Sequence, residues 1–194
     1  MKLTKRVICS VAAVIGLVTG GMTLNSSELP VGNVSISGTE VGELRISPKG
    51  LAIVGDMEGC RLSPYTCPSG LTTNGIGNTH DVPDLIVTME QVAIDWVENL
   101  QGAEQCITKV ETRSGTSMTQ GQFDALVSFA FNTGCTRFKL NRSGTQTQIY
   151  RYTLAGEFES ACNQLPRWVY GAGKRLEGLE KRRRAEHARC MEVD

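Results

Sequence analysis

The sequence predicts an α+β fold that is mainly helical, with one small sheet of hairpins near the start of the folded region. Two patterns indicate this class. Several long segments after residue 88 carry apolar residues every three or four positions, which is typical of amphipathic helices. Residues 61–84 are instead rich in glycine and turn-forming residues, as expected for short antiparallel strands. The length of 194 residues favours one domain of moderate size with an extension.

The N-terminus has the pattern of an export signal. Lys2, Lys5 and Arg6 precede residues 7–24, which carry no charge. Both a cleaved signal peptide and an uncleaved anchor fit this pattern. A membrane span needs about 20 apolar residues, and glycine, serine and threonine dilute this segment, so an anchor here would be weak and able to leave the bilayer. We therefore divide the chain into a releasable signal-anchor segment (1–24), a linker (25–46) and a folded domain (47–194).

Charge and cysteine content exclude several classes of protein. The 20 basic and 20 acidic residues balance, so no overall field favours nucleic acid. The run "KRRRAEHAR" is interpreted as a solvated face of the last helix, and attraction to an anionic polymer or lipid surface is the alternative. Seven cysteines in an exported chain predict disulfides, and their odd number leaves one outside any intramolecular bridge. No C-x-x-C pair occurs, which argues against a zinc knuckle and a thioredoxin-type protein. We expect no metal and no organic cofactor.

Helix signals bracket one acidic residue. Ser47 is a typical N-cap and Pro48 suits the first helical turn, while Gly59 provides a stop. This predicts a helix that ends at Glu58. Thr88 and Thr119 are expected to begin later helices, because glutamine or glutamate follows each at the spacing of a capping box.

The stretch after this helix carries the most specific motif. Residues 58–77 fit the frame E-G-x-R-L-x-x-Y-x(4)-G-x(2)-T-x-G-x-G. This frame resembles the phage-type lysozymes, the glycoside hydrolases that phages use as endolysins. The likeness continues through "FDALVSFAFNTG", "LPRWVY" and "GLEKRRRAE", so it covers about residues 47–194. It implies a lysozyme-like α+β fold, with the active-site cleft between two lobes.

The resemblance also assigns catalytic roles. Cleavage of a glycosidic bond needs a proton donor and a second polar group across the bond. Glu58 ends a helix among apolar neighbours, an environment in which a carboxyl group keeps its proton more readily. The family's usual second carboxylate is an aspartate, and this chain has Cys67 there. A cysteine thiolate is able to activate water, with the Thr73 hydroxyl orienting that water in an inverting reaction. Asn78 stands where the family usually has histidine, which we expect to change only a structural contact.

Cys60 predicts a switch for this site. A Cys60–Cys67 bridge would consume the catalytic thiol, so the enzyme would be exported inactive. Once the anchor leaves the membrane, Cys9 is able to attack Cys60 and release Cys67, as in signal-anchor-release endolysins held off by a disulfide. Two simpler interpretations remain open: Cys67 is only a disulfide partner, or Cys9 is incidental in a discarded signal peptide.

The other cysteines are interpreted as structural. Cys106, Cys135, Cys162 and Cys190 allow three pairings. From the expected order of the helices, we predict Cys135–Cys162 and Cys106–Cys190.

Together, the residues and the resemblance predict a monomeric muramidase whose substrate is peptidoglycan. It would hydrolyse the β-1,4 bond between N-acetylmuramic acid and N-acetylglucosamine, first tethered to the host inner membrane and then released into the periplasm, to lyse the host cell. A catalytically inactive peptidoglycan-binding protein of lysozyme fold is the alternative, because the aspartate is replaced. A periplasmic thiol sensor using Cys60 and Cys67 is a third class.

Overall fold

The computed structural model describes residues 6–21, 28–67, 70–171 and 173–192. Its helices are α1 (Val11–Val18), α2 (Pro48–Glu58), α3 (Met89–Ser114), α4 (Gln120–Thr133), α5 (Cys135–Lys139), α6 (Gln148–Leu154), α7 (Phe158–Cys162) and α8 (Glu177–Cys190). Its strands are β1 (Gly32–Ile36), β2 (Thr39–Leu44), β3 (Arg61–Thr66), β4 (Thr72–Gly75), β5 (Tyr170–Gly171) and β6 (Lys174–Arg175).

The predicted helix boundaries around the acidic residue are confirmed. The Ser47 hydroxyl caps α2 by accepting a hydrogen bond from the Gly50 N–H at 3.2 Å. Gly59 ends the helix with a φ of +68°, a left-handed conformation that suits glycine. Glu58 is therefore fixed at the last position of a capped helix.

The later helices also begin where their caps predict. Thr88 caps α3, and Thr119 forms a complete capping box with Gln122 at the start of α4. Helices α3 and α4 pack against each other, and α4 packs in turn against α2 and α8. The core lies between them and contains the fully buried side chains of Trp96, Phe123 and Phe129. This core holds α2 and α8 side by side.

The described residues contain three antiparallel hairpins, so the expectation of one sheet was too simple. They pair β1 with β2, β3 with β4, and β5 with β6. The first hairpin lies within the segment assigned as a linker. Val34, Ile36 and Leu44 of this hairpin are buried and join the hydrophobic core. The alternating burial along β1 gives these apolar side chains one inward face.

The apolar N-terminal segment is packed into the protein. Helix α1 contacts α2, α3 and β1, and its Val14 and Val18 side chains are buried. Gly55 of α2 makes room for it, because a Cβ at that position would lie 2.5 Å from Val11 Cγ1. Within the described residues, no helix has both the length and the apolar character needed to cross a membrane. Lys2, Lys5 and residues 22–24 of the predicted signal-anchor lie outside the described residues.

The predicted partners of the four structural cysteines were wrong. Cys106 bonds Cys135, and Cys162 bonds Cys190. A short connection makes α3 and α4 antiparallel neighbours, so the end of α4 runs back to the middle of α3. Only Gly134 separates α4 from α5, which places Cys135 at that point. Helices α7 and α8 likewise pack together and bring their last residues into contact.

We expect the paired substitutions Cys106→Ala and Cys135→Ala to lower stability without removing the fold. The bridge closes a loop with a sequence separation of 29, for which chain entropy predicts a loss of about 3 to 4 kcal/mol. Urea unfolding of the oxidised double variant would measure this loss. An unfolding midpoint equal to that of the unsubstituted protein would contradict it, and the unsubstituted protein under reductant serves as a control.

Candidate active site

One arginine approaches Glu58. The Arg182 Nη1 atom donates to Glu58 Oε1 at 2.5 Å, across a sequence separation of 124 residues. The Glu58 side chain is 23% exposed and that of Arg182 only 3%, so the carboxyl group faces the cleft while the guanidinium group lies behind it. The interpretation of the basic run "KRRRAEHAR" as a solvated face was wrong, because Arg182, Arg183 and Arg189 are buried in ion pairs with acidic side chains. Arg182 also donates to the Ser128 carbonyl oxygen at 3.2 Å and is thereby fixed to α4.

The three predicted catalytic residues lie around one cleft of about 440 Å³. Glu58 comes from the end of α2, Cys67 from the turn after β3, and Thr73 from β4. The cleft is lined by Glu58, Tyr65, Cys67, Thr73, Gly77, Thr79, Phe131 and Asn132. Residues from the hairpin and from α4 thus face each other, with Glu58 between them.

Local hydrogen bonds fix the hairpin side of this cleft. Tyr65 and Thr73 are cross-strand partners in β3 and β4. The Cys67 N–H donates to the Leu71 carbonyl oxygen at 2.9 Å, which closes the turn. The Thr73 hydroxyl donates to the same carbonyl oxygen at 3.1 Å. Since its proton is used there, the lone pairs of the Thr73 oxygen remain as acceptors for a water molecule.

Tyr65 is a site residue for which the sequence suggested no role beyond its place in the motif. Burial raises the pKa of the Tyr65 hydroxyl, the nearby Glu58 and Cys67 raise it further, and Arg61 lowers it. The Arg61 guanidinium lies over the Tyr65 ring, 4.7 Å from its centre. Tyr65 therefore keeps its proton near neutral pH and remains a potential hydrogen-bond donor at the cleft.

Two neighbouring positions at the end of the motif, Gly77 and Asn78, have clear structural roles. Gly77 has a φ of +71°, and a Cβ there would lie 3.2 Å from Glu58 Oε2, so glycine allows the hairpin to approach the carboxyl group. Asn78 is buried and connects the hairpin loop to α3. Its side chain donates to Asn74 Oδ1 at 3.0 Å and accepts from Asn99 at 3.1 Å.

Cys67 remains a thiol, and the other six cysteines form three disulfides. Cys9 bonds Cys60, and the Cys9 N–H donates to the Cys60 carbonyl oxygen at 3.2 Å. The predicted Cys60–Cys67 bridge is therefore not the one in this structure. The pairing is instead the one expected after release of the N-terminal segment.

The cleft continues beyond Glu58. A second groove of about 420 Å³ shares Gly77, Thr79 and Phe131 with it and extends along α3 to Cys135. The two adjoining grooves give the cleft more length than the surroundings of Glu58 alone. Within the described part of the chain, no group of three or more His, Cys, Asp and Glu side chains is placed to hold a metal ion.

Comparison with known proteins gives a consistent family. The phage lysozyme family model matches residues 55–186. The SAR-endolysin of Haemophilus phage HP1 (strain HP1c1) is 40% identical over 153 residues, which cover 76% of this chain and 81% of that relative. The SAR-endolysin of Escherichia phage P1 is 35% identical over 190 residues, which cover 95% and 91%.

Solved structures give the same result. The active form of the phage P1 endolysin superposes with a TM-score of 0.75 at 34% identity, covering 95% of each chain. The secreted inactive form of that endolysin superposes with a TM-score of 0.54 at 37% identity, covering 76% of this chain and 96% of the other. These matches confirm the predicted lysozyme-like fold. This chain belongs to the phage lysozyme family.

Proposed function

We propose that this protein is an endolysin, a muramidase that hydrolyses the β-1,4 bond between N-acetylmuramic acid and N-acetylglucosamine in host peptidoglycan. The observation that carries the proposal is the placement of Glu58, Cys67 and Thr73 around one open cleft. The relatives named endolysins support the substrate class. The groove that adjoins the cleft provides further surface for a glycan strand. The enzyme acts as a monomer in this proposal.

In the proposed reaction, Glu58 protonates the oxygen that leaves the anomeric carbon. Arg182 stabilises the negative charge that develops on Glu58 as the proton departs, and it does not take up the proton itself because guanidinium groups stay protonated. The bond breaks through an oxocarbenium-like transition state.

A water molecule attacks the anomeric carbon from the opposite side. The Thr73 oxygen accepts one hydrogen bond from this water, and the Cys67 thiolate takes its other proton as the new C–O bond forms. The product is a hydroxyl of inverted configuration, with Cys67 protonated and Glu58 ionised. Exchange of one proton with solvent at each group restores the enzyme.

The same thiol provides the proposed control. Before release, Cys60 and Cys67 form a disulfide and Cys9 is a thiol. The Cys9 thiolate attacks the Cys60 sulfur, the Cys60–Cys67 bond breaks, and Cys67 leaves as a thiolate. The Cys9–Cys60 bridge replaces the first one, so no external oxidant or reductant is needed. The Cys9–Cys60 pairing in the structure supports this product state.

The packing of α1 against the folded domain supports a membrane anchor that is later released. In the proposed first state the apolar segment lies in the host inner membrane, with the catalytic domain in the periplasm. When it leaves, Val14 and Val18 are buried against α2 and α3 instead of being exposed to water. The name SAR-endolysin of two relatives, and the better superposition on the active than on the inactive phage P1 endolysin, support this order of events.

Substitution of Cys9 by serine tests the proposed disulfide switch. The exported, oxidised Cys9→Ser variant should keep the Cys60–Cys67 bridge, so that it clears purified peptidoglycan at least about tenfold more slowly than the unsubstituted protein and recovers on mild reduction. The matched control is Cys9→Ser with Cys60→Ser, which lacks the cysteine that cages Cys67 and should be active without reductant. Equal activity of the single variant with and without reductant would refute the caging. An inactive double variant would instead contradict the muramidase assignment.

A further inference from the structure

A buried carboxylate lies behind the active site. The Glu186 side chain on α8 is completely buried. One oxygen, Oε1, accepts from Arg182 Nε at 3.1 Å and from the Ser128 hydroxyl at 2.8 Å. The other oxygen, Oε2, accepts from Arg183 Nη1. The donors of these three hydrogen bonds to Glu186 therefore lie on α8 or α4.

Each of these two arginines also donates a hydrogen bond to a residue that lines the cleft. Arg182 donates to Glu58, and Arg183 donates through Nη2 to the side-chain oxygen of Asn132. Asn132 lines the same cleft as Glu58. One carboxylate thus holds two guanidinium groups that reach different parts of the active site.

The charges of this cluster balance once Glu58 has given up its proton. Glu186 and the ionised Glu58 then contribute two negative charges, while Arg182 and Arg183 contribute two positive charges. The guanidinium groups are almost completely buried, and a buried cation without a counter-charge is strongly unfavourable. Burial raises the pKa of Glu186, and the charges of Arg183 and Arg182 oppose this rise. Because guanidinium groups only donate hydrogen bonds, they favour the ionised carboxylate.

We propose that Glu186 is a positioning residue for the reaction: it fixes Arg182 on Glu58 and Arg183 on Asn132, and its charge limits the positive field at Glu58. This inference rests on the proposed muramidase function. Glu186 touches neither the substrate nor the reacting atoms, so it acts through the two arginines.

Six charged or titratable side chains, other than Glu186, face Glu58 from the described elements around it. Those groups are Arg182 and Arg183 from α8, Tyr65 and Cys67 from the hairpin, and Arg6 and Arg61, which line a pocket of about 200 Å³ that Glu58 shares. Removal of the Glu186 charge leaves Arg182 and Arg183 with Glu58 as their remaining acidic partner in this cluster. The stronger positive field would favour the ionised form of Glu58 over the protonated form that acts as general acid.

The test compares Glu186→Gln with Glu186→Asp across pH. Glu186→Gln should lower kcat by about tenfold or more with KM within about twofold, and should move the alkaline limb of the kcat profile to lower pH. Glu186→Asp keeps the charge and should keep that limb in place while recovering part of kcat. The control is Glu180→Gln on the same helix, since Glu180 pairs with the exposed Arg175.

A double variant keeps the test informative if Glu186→Gln does not fold. Glu186→Gln with Arg183→Met removes one charge of each sign, so it should fold, return the alkaline limb to its original position and retain a reduced kcat. A limb that stays unchanged in Glu186→Gln, or that moves equally in Glu186→Asp, would overturn the positioning role. Inactivity of the unsubstituted protein would instead refute the muramidase function.

Discussion

Substitution of Glu58 by glutamine should lower peptidoglycan hydrolysis by about 10²- to 10⁴-fold, the usual contribution of a general acid. Glutamine has nearly the same shape but has no acidic proton to give to the leaving oxygen. Arg182 keeps its contacts to Glu186 and the Ser128 carbonyl group, so the domain should remain folded. The measurement is release of reducing sugar ends from purified peptidoglycan, with near-UV circular dichroism to verify the fold.

The matched control for this substitution lies on the same helix. Asp56 is exposed two residues before Glu58, so Asp56→Asn removes one charge from α2 without touching the cleft. It should leave the rate within about twofold of the unsubstituted rate. A Glu58→Gln variant as active as Asp56→Asn would remove Glu58 from the mechanism. An unsubstituted protein that binds peptidoglycan but releases no sugar ends would favour the inactive binding protein.

Substitution of Cys67 separates its catalytic role from its regulatory role. Cys67→Ala removes the proposed base and should lower the rate by about 10²-fold or more. Cys67→Asp restores the residue usual in the family and should be active. Because a carboxylate forms no disulfide, its activity should also be independent of oxidation.

The Cys67 series is measured on protein kept under reducing and under oxidising conditions. Cys67→Ser should resemble Cys67→Ala, because a hydroxyl group is a far weaker base than a thiolate at neutral pH. Full activity of Cys67→Ala would mean that Thr73 alone orients the water. A Cys67→Asp variant that is folded but inactive would contradict the equivalence of the two residues.

Local features of the sequence predicted much of the candidate site. Ser47, Pro48 and Gly59 define both ends of α2 through short-range capping, and so they place Glu58 at a helix end. The Gly-rich frame from residue 58 to residue 77 predicted the hairpin, because glycine is needed where φ is positive and where the chain approaches Glu58. These features depend on neighbours a few residues apart, which a sequence pattern records.

Other parts of the site could not be inferred locally. The sequence does not distinguish Arg175, Arg182 and Arg183 as partners of Glu58. Only the packing of α8 on α4 and α2 selects Arg182. Asn132 and Glu186 lie within segments that resemble the family, but no short-range pattern there links either residue to Glu58. Their importance comes from contacts across the domain.

By itself, the sequence determined the fold class, the helix that carries Glu58 and the hairpin that carries Cys67 and Thr73. Tertiary structure decided which arginine meets Glu58, which cysteines are joined, and that the hairpin of residues 32–44 packs its apolar side chains into the core. The physical reason is the sequence separation of the interacting residues. Caps and turns are set by hydrogen bonds within a few residues, whereas these ion pairs and disulfides depend on how whole helices pack.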